Sequence, residues 1–400
     1  MISVDAAELA VKNSVRSVLY PLAINSIDLG DSIDHFLACN IFADREQPPF
    51  DRVAMDGIAI NEASIENKQF KIAGIQAAGA QKLTLESLDE CLEVMTGAIL
   101  PKNTHIVIPY ERITISGEVA TLNIKNNSLK IKQNVHLKGS DYKEGQLLLS
   151  KNKKIKSPDI AVLASVGMSK VDVYRLPAVA VISTGDELVE VDQTPLEHQI
   201  RKSNSCALKA ELICCGFKQV DTFHLIDNEE QLAREIESIL SKYPLVLLSG
   251  GVSMGKFDFV PKVLDQLGVN KIFHKVCQRP GKPLWFGQNQ QRNVVMGLPG
   301  NPVSCLVSLR RYIIEALFQD YSISETAILN ESITFKKEMT MFCPVTLTSS
   351  YGHAVATPIK MNGSGDFYSL AKSDGFLEFD AEKEKFVKGE NYKLYRWGRF

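Results

Sequence analysis

Four short polar strings carry residue types from which a phosphate or oxyanion site can be made: STGDEL at 183–188, SGGVSMGKFD at 249–258, QRPGKP at 278–283 and GLPGNPVS at 297–304. In the second, Ser249, Gly250, Gly251 and Ser253 combine hydroxyls with bare backbone, which lets N–H groups come close to a phosphate. The spacing is neither G-x-G-x-x-G nor G-x-x-x-x-G-K-[ST], so dinucleotide-binding and P-loop readings lose support. A tight turn by itself explains the glycines equally well. Asp186 and Glu187 after one strand, Asp227 after another and Asp258 after the glycine loop bring carboxylates to one sheet edge. Carboxylates beside a phosphate need a cation, and Mg2+ held by one or two of them plus phosphate oxygens would polarise a phosphoanhydride. Helix capping is the competing use of Asp227 and Asp258. Lys282 and the Ser304 hydroxyl, on loops stiffened by prolines, suit a small tetrahedral oxyanion, with simple turn formation as the alternative role of those prolines.

The elements that must hold these loops are legible around them. AVAVIST after Pro177 reads as a buried strand that breaks at Gly185. Ser203-Asn204 then caps a helix with Leu208, Leu212 and Cys215 on one face and Gly216 as its stop. A strand over 220–225, a helix over 229–242 behind Asp227-Asn228, and the strand PLVLLS ending at Gly250 continue the alternation. A helix over 257–267, strands over 271–276 and 293–296, and a long helix over 303–318 complete it. This pattern predicts a mostly parallel sheet with helices on both faces and ligands beyond the carboxyl ends of its strands. All four polar strings follow predicted strands.

The flanks differ. Residues 1–45 look helical, with Ala6, Ala7, Leu9 and Ala10 packed early, and 157–167 reads as a further short helix, so the two pieces are expected to form a discontinuous linker region over 1–45 and 140–172. Short alternating segments over 46–139, such as LEVMTGAIL, HIVIPYERITI and EVATLNI, predict a small β-rich second domain. The α/β domain is expected over 173–322 and a small all-β domain over 323–400, with turns at Tyr351-Gly352 and at 362–365. The basic run at 151–156 reads as solvated surface.

The chain has 400 residues, too many for one small module. Its 45% apolar and 23% charged residues are those of a folded globular protein, without an apolar run able to span a bilayer. A net charge of -2 provides no global positive field for nucleic acid or an anionic membrane, so an anionic ligand must be held locally. The eight cysteines are scattered without a CxxC pair, and no secretory signal opens the sequence, which together predict a cytoplasmic protein with free thiols.

Taken together with PPFDRVAMDGIAI (48–60), MTGAILP (95–101), GSDYKEG (139–145), RKSNSCALKAEL (201–212) and GSGDFYSLAKSDGFLEF (363–379), these strings resemble the molybdopterin molybdenumtransferase family, which includes MoeA and the C-terminal domain of gephyrin. The resemblance runs in family order over nearly the whole chain. It implies a homodimer in which the final domain is a β-barrel, with Mg2+ as cofactor and adenylyl-molybdopterin and molybdate as substrates. The adenylate is cleaved, molybdenum is left on the dithiolene and AMP departs. Transient contact with other enzymes of molybdenum cofactor biosynthesis is implied as well. Asp56 and Thr96 match family positions implicated in activity. So do Asp141, Glu187, Asp227, Asp258, Pro299 and Pro302, with Glu187, Asp227 and Asp258 as metal ligands and the prolines shaping loops. Val53 and Ile58 stand where the family usually carries Ser and Tyr, and His136 and Ser140 replace an arginine and a glutamate. Two other functions fit parts of the pattern: molybdopterin adenylyltransferase, which resembles only 173–322, and a gephyrin-like scaffold with weakened catalysis.

Overall fold

The computed structural model describes residues 1–123, 129–252, 259–290, 293–318, 324–336 and 338–398; Ser253 and Asp258 therefore lie outside the described residues. Contacts divide the chain into two compact units, one of Met1–Ser26, Asp34–Phe36 and Asp172–Phe400, the other of Ile27–Ile33 and Leu37–Val171.

Helix α1 (Val4–Leu19) starts at Ser3, whose hydroxyl accepts from the Ala6 N–H. Val4, Ala7, Val11 and Val15 recur at helical spacing and are buried in the core of the first unit. Ala6 and Leu9, expected to pack, fall on the other face, and Leu9 is 61% exposed. The expectation of helix through residue 45 also stops short, because Ala23–Asp28 and Ile41–Phe42 are strands.

The second unit is built on strands β1 (Gly57–Ile60), β2 (Gln69–Gln76), β3 (Glu90–Val94), β4 (Ile106–Pro109), β5 (Ile113–Ser116) and β6 (Val119–Leu122), hydrogen-bonded in the order β4-β1-β3-β2-β6-β5. The three alternating segments of the sequence supply β3 to β6. The expected helix near 157–167 is α2 (Ser157–Ser165), in the same unit.

In the first unit the strands are β7 (Val179–Thr184), β8 (Val220–Leu225), β9 (Leu245–Ser249), β10 (Val269–His274), β11 (Gln278–Arg279), β12 (Trp285–Asn289) and β13 (Val294–Leu298). The sheet runs β8-β7-β9-β13-β12-β10, its first four strands parallel and the last two antiparallel additions. Sequence reading missed β12, whose polar end residues Gln288 and Asn289 hide its apolar start. Helices α3 (Asn204–Cys214), α4 (Glu229–Leu240) and α5 (Val260–Gln266) follow β7, β8 and β9. The Asn228 side chain, not Asp227, caps α4, accepting from the Gln231 N–H at 3.0 Å. Alternate residues of each strand face opposite cores. Val179, Val181, Leu245 and Leu247 pack with α1 and α3, whereas Ala180, Ile182, Val246 and Leu248 pack with α4 and α5.

The long final helix comprises α6 (Pro302–Ser308), a π-helical turn (Leu309–Ile314) and α7 (Glu315–Phe318). Beyond it, β14 (Glu325–Leu329), β15 (Thr340–Ser350), β16 (His353–Pro358), β17 (Gly375–Phe379) and β18 (Asn391–Arg396) close a five-stranded barrel, because β15 pairs with both β16 and β17. The Tyr351-Gly352 turn makes the β15–β16 hairpin with both residues at positive φ. A short helix α8 (Phe367–Lys372), not anticipated, begins at the Asp366 cap.

The π-helical turn places Arg311, 1% exposed, between α1 and the barrel. Its guanidinium meets Glu8 at 2.6 Å and Glu378 at 2.8 Å, and Glu378 also accepts from the Tyr395 hydroxyl. Burial opposes ionisation of Glu8, but Arg311 and Lys12 outweigh it and hold that carboxyl below its ordinary value of 4.5. The pairing therefore stabilises the fold fully above that value and is lost as pH falls through the depressed folded value. Glu378→Ala, which strips a buried cation of one partner, should lower the unfolding free energy at pH 7 by about 3 kcal/mol or more in urea titrations.

Candidate functional site

The parallel strands deliver their carboxyl ends to one rim: Thr184, Leu225, Ser249 and Leu298. At that rim Gly250 and Gly251 turn at φ +94° and +64° directly against β7. A Cβ on Gly251 would stand 2.6 Å from Thr184 Oγ1, and one on Gly250 2.8 Å from the Thr184 carbonyl. Only glycine permits this approach. Thr184 is 4% exposed, and its Oγ1 has no hydrogen-bond partner among the described residues.

Ser249 is buried, and its hydroxyl is engaged by the Asn204 amide at 3.0 Å and lies 3.4 Å from the Cys305 thiol. The same Asn204 Nδ2 donates to the Gly300 carbonyl at 2.6 Å, while its Oδ1 is buried without a partner among the described residues. Asn204 thus ties the β9 end to the 297–304 loop. The sequence had suggested it as part of a helix cap, but Ser203 makes no side-chain cap bond and the amide serves the rim instead.

Asp186 and Asp227 join two neighbouring loops: the Asp227 N–H donates to Asp186 Oδ1 at 3.2 Å. The exposed Glu187 carboxylate folds back over Gly185, so a Cβ there would be 2.5 Å from Oε2. Among the described residues no group of three His, Cys, Asp or Glu side chains converges to hold a metal ion, and Asp258, the third ligand expected from the sequence, is outside them. Oxygen donors from Glu187 and Asp227 are of the kind Mg2+ takes, and one or two carboxylates completed by phosphate and water are its usual protein share.

Lys282, Pro299 and Ser304 come together on a cavity of about 830 Å3 between the sheet and the barrel. One wall is the 278–283 loop and the start of α6, where Pro302 occupies the first turn and the carbonyl of Pro299 accepts from the Cys305 thiol. The facing wall comes from the barrel and the 360–364 loop. Strand β11 pairs with Thr340 and Met341, and Ser364 accepts from Asn301 Nδ2 at 2.6 Å, so the two walls are hydrogen-bonded to each other. Among the described residues, Arg279, Lys282 and Lys360 line the space against one carboxylate, Glu331, leaving an excess of positive charge. Lys360 had no signal in the sequence, since it lies alone in a loop some eighty positions further along the chain.

In the other unit, Asp56 precedes β1 and Thr96 follows its antiparallel neighbour β3, so the pairing of Gly57 with Val94 brings them together. Asp56 Oδ1 accepts from the Thr96 N–H at 2.6 Å and from its hydroxyl at 2.7 Å. The Thr96 N–H, then its hydroxyl, hold the Asp56 carboxyl below its ordinary range. Asp141 accepts from His136 Nε2 at 2.8 Å, and His136 Nδ1 lies 3.0 Å from Arg52 Nη2. Val53 and Ile58 are buried in two apolar clusters and contribute packing.

Three family descriptions match the chain in order: the MoeA N-terminal region (domain I and II) over 2–167, a probable molybdopterin binding domain over 180–319, and the MoeA C-terminal region (domain IV) over 326–397. A molybdopterin molybdenumtransferase of Synechocystis sp. is 41% identical over 376 residues, covering 93% of this chain and 95% of the relative. That of Bacillus subtilis is 29% identical, covering 88% and 84%. The crystal structure of the molybdopterin biosynthesis MoeA protein from Pyrococcus horikoshii superposes with a TM-score of 0.83 at 26% identity over 99% of both chains. With all its regions accounted for in family order, the chain belongs to the molybdopterin molybdenumtransferase (MoeA) family.

Proposed function

We propose that the protein transfers molybdate-derived molybdenum to adenylylated molybdopterin, with Mg2+-dependent cleavage of the adenylate and release of AMP, and that it works as a homodimer. The observation that carries this reading is the cationic cavity in which Lys282 and Ser304 meet, in a chain that matches the family from end to end.

In this reading molybdate occupies the cavity. The Lys282 ammonium and the Ser304 hydroxyl bind its oxygens, and Lys360 adds charge from the barrel side. The nucleotide-linked pterin lies along the rim, where the bare backbone of Gly250 and Gly251 accommodates a phosphate and Ser249 fixes the turn. Thr184 Oγ1 and Asn204 Oδ1 support that placement: an unpaired buried polar atom costs about 1–3 kcal/mol, which a ligand's polar groups would recover. Glu187, Asp227 and Asp258 would hold Mg2+, which neutralises phosphate charge when bound. Ser253 adds a hydroxyl to the same loop, and Pro299 and Pro302 keep the oxyanion wall stiff. Asp56, kept ionised by Thr96, and Asp141, oriented by His136, serve as the second unit's acidic groups.

A molybdopterin adenylyltransferase needs only the middle region, so the matched N-terminal and C-terminal regions favour insertion. A scaffold role would leave the acidic rim and the cationic cavity without a use. No helix among the described residues is long and apolar enough to cross a membrane.

Incubation with adenylyl-molybdopterin, Mg2+ and molybdate should release AMP only when molybdate is present; release without molybdate, or consumption of ATP with molybdopterin, would reject insertion. Glu187→Ala and Asp258→Ala should each slow release about 100-fold or more, as removal of transition-state charge stabilisation does, and EDTA should stop it. Light scattering should give twice the 44.3 kDa chain mass. Thr96→Val should return Asp56 toward the ordinary carboxylate range. Because the native value is depressed, the acid limb of the pH–rate profile should then move to higher pH, with the alkaline side unchanged.

A further inference from the structure

We infer that Gln278 is a positioning residue for the oxyanion cradle: its buried amide turns two consecutive peptide groups so that the N–H groups of Gly281 and Lys282 become donors to the bound oxyanion. The inference rests on the cavity being the molybdate site.

Gln278 is wholly buried on β11. Its Nε2 donates to the carbonyls of Pro280 at 3.1 Å and Gly281 at 3.3 Å, and its Oε1 accepts from the Tyr312 hydroxyl. This set admits only one orientation of the amide. Two carbonyls can only accept, so turning the amide over would set oxygen against two oxygens and leave the Tyr312 hydroxyl facing an NH2. Tyr312 is itself buried in the π-helical turn, where burial pushes its phenol well above the usual range and keeps it a donor.

The consequence lies in the peptide groups. The Pro280–Gly281 and Gly281–Lys282 bonds are trans. In a trans peptide the carbonyl and the following N–H point in opposite directions. Drawing the Pro280 and Gly281 carbonyls onto Gln278 therefore turns the Gly281 and Lys282 N–H groups to the loop's other side. Neither N–H meets an acceptor among the described residues. Pro280 and Pro283 have no N–H, so between Arg279 and Leu284 these two groups are the loop's only backbone donors.

Gly281 sits at φ +91°, and a Cβ there would stand 2.7 Å from Gln278 Nε2 and 3.0 Å from Ser308 Oγ. Only glycine lets the loop rest on the amide. Consecutive N–H groups around a positive-φ glycine form an anion-binding concavity, and here both residues line the cavity that holds the Lys282 and Ser304 side chains.

The test uses the whole 400-residue chain, with molybdate binding followed by calorimetry and AMP release by steady-state kinetics. Gln278→Met keeps length and apolar bulk but removes the amide. It should raise the molybdate Kd and KM about tenfold or more, as loss of charge-assisted hydrogen bonds does, while the KM for adenylyl-molybdopterin stays within about twofold. Tyr312→Phe, which leaves Gln278 Oε1 without its donor and the amide less firmly held, should shift molybdate affinity in the same direction by a smaller factor. An unchanged molybdate Kd in Gln278→Met, or an equal rise in both KM values, overturns the inference. Should Gln278→Met not fold, an unchanged molybdate Kd in Tyr312→Phe overturns it instead. Lys282→Ala separates the two levels: if it leaves molybdate binding intact, the cavity reading fails, whereas weakened binding in Lys282→Ala with none in Gln278→Met rejects only the role of Gln278.

Discussion

A parallel sheet covered on both faces leaves its strand ends as the places where backbone and polar side chains can meet a ligand. In the first unit this constraint is strict. Strands β7, β9 and β13 are buried along their whole length, one set of side chains packed under α1 and α3 and the other under α4 and α5. Every loop leaving the carboxyl ends is then free to carry glycine, proline and charge without disturbing a core. The closeness of Gly250 and Gly251 to Thr184 follows from the same packing, since adjacent parallel strands bring the ends of β7 and β9 side by side.

The barrel supplies what the rim lacks. An oxyanion held only by the 278–283 and 299–304 loops would be open on one side. The barrel strands and the 360–364 loop close that side and add Lys360. Their attachment is itself polar and directional: β11 joins the barrel by strand pairing, and Arg311 joins it through a buried bidentate contact with Glu378. The π-helical turn serves both ends of this arrangement, because it carries Arg311 to the barrel and Tyr312 to Gln278. Such local departures from α-helical spacing recur at functional sites.

In the second unit, the departures from family pattern have a local explanation. Val53 and Ile58 sit in apolar clusters, where a hydroxyl would need a buried partner. His136 keeps the contact to Asp141 that an arginine would make and adds one that an arginine could not, accepting from Arg52 through its second ring nitrogen. Only one nitrogen of a neutral imidazole carries a proton, and since Arg52 is always a donor, Nε2 is the nitrogen that donates to Asp141. The acidic group thus stays oriented despite the change of residue.

Local pattern determined much of this protein. Apolar runs broken by glycine marked β7 and β9 within a residue or two, β8 fell on the expected 220–225, Asn228 announced α4, and alternation in the flanks marked the two β-rich regions, because burial of one face imposes a period that short windows reveal. The polar strings themselves named most of the candidate site. What local pattern could not reveal depended on residues far apart in the chain: the docking of α1 onto the sheet, the addition of β12, the convergence of Lys282 and Lys360 on one cavity, the engagement of Asn204 by Ser249 and Gly300, and that of Gln278 by Tyr312. Each of these is set by how strands are ordered and which faces are covered, and a side chain's partner across such a junction leaves no periodic trace in its own neighbourhood. The residue types able to do the chemistry were therefore fixed locally, whereas only tertiary packing decided which of their donors and acceptors remain free to use it.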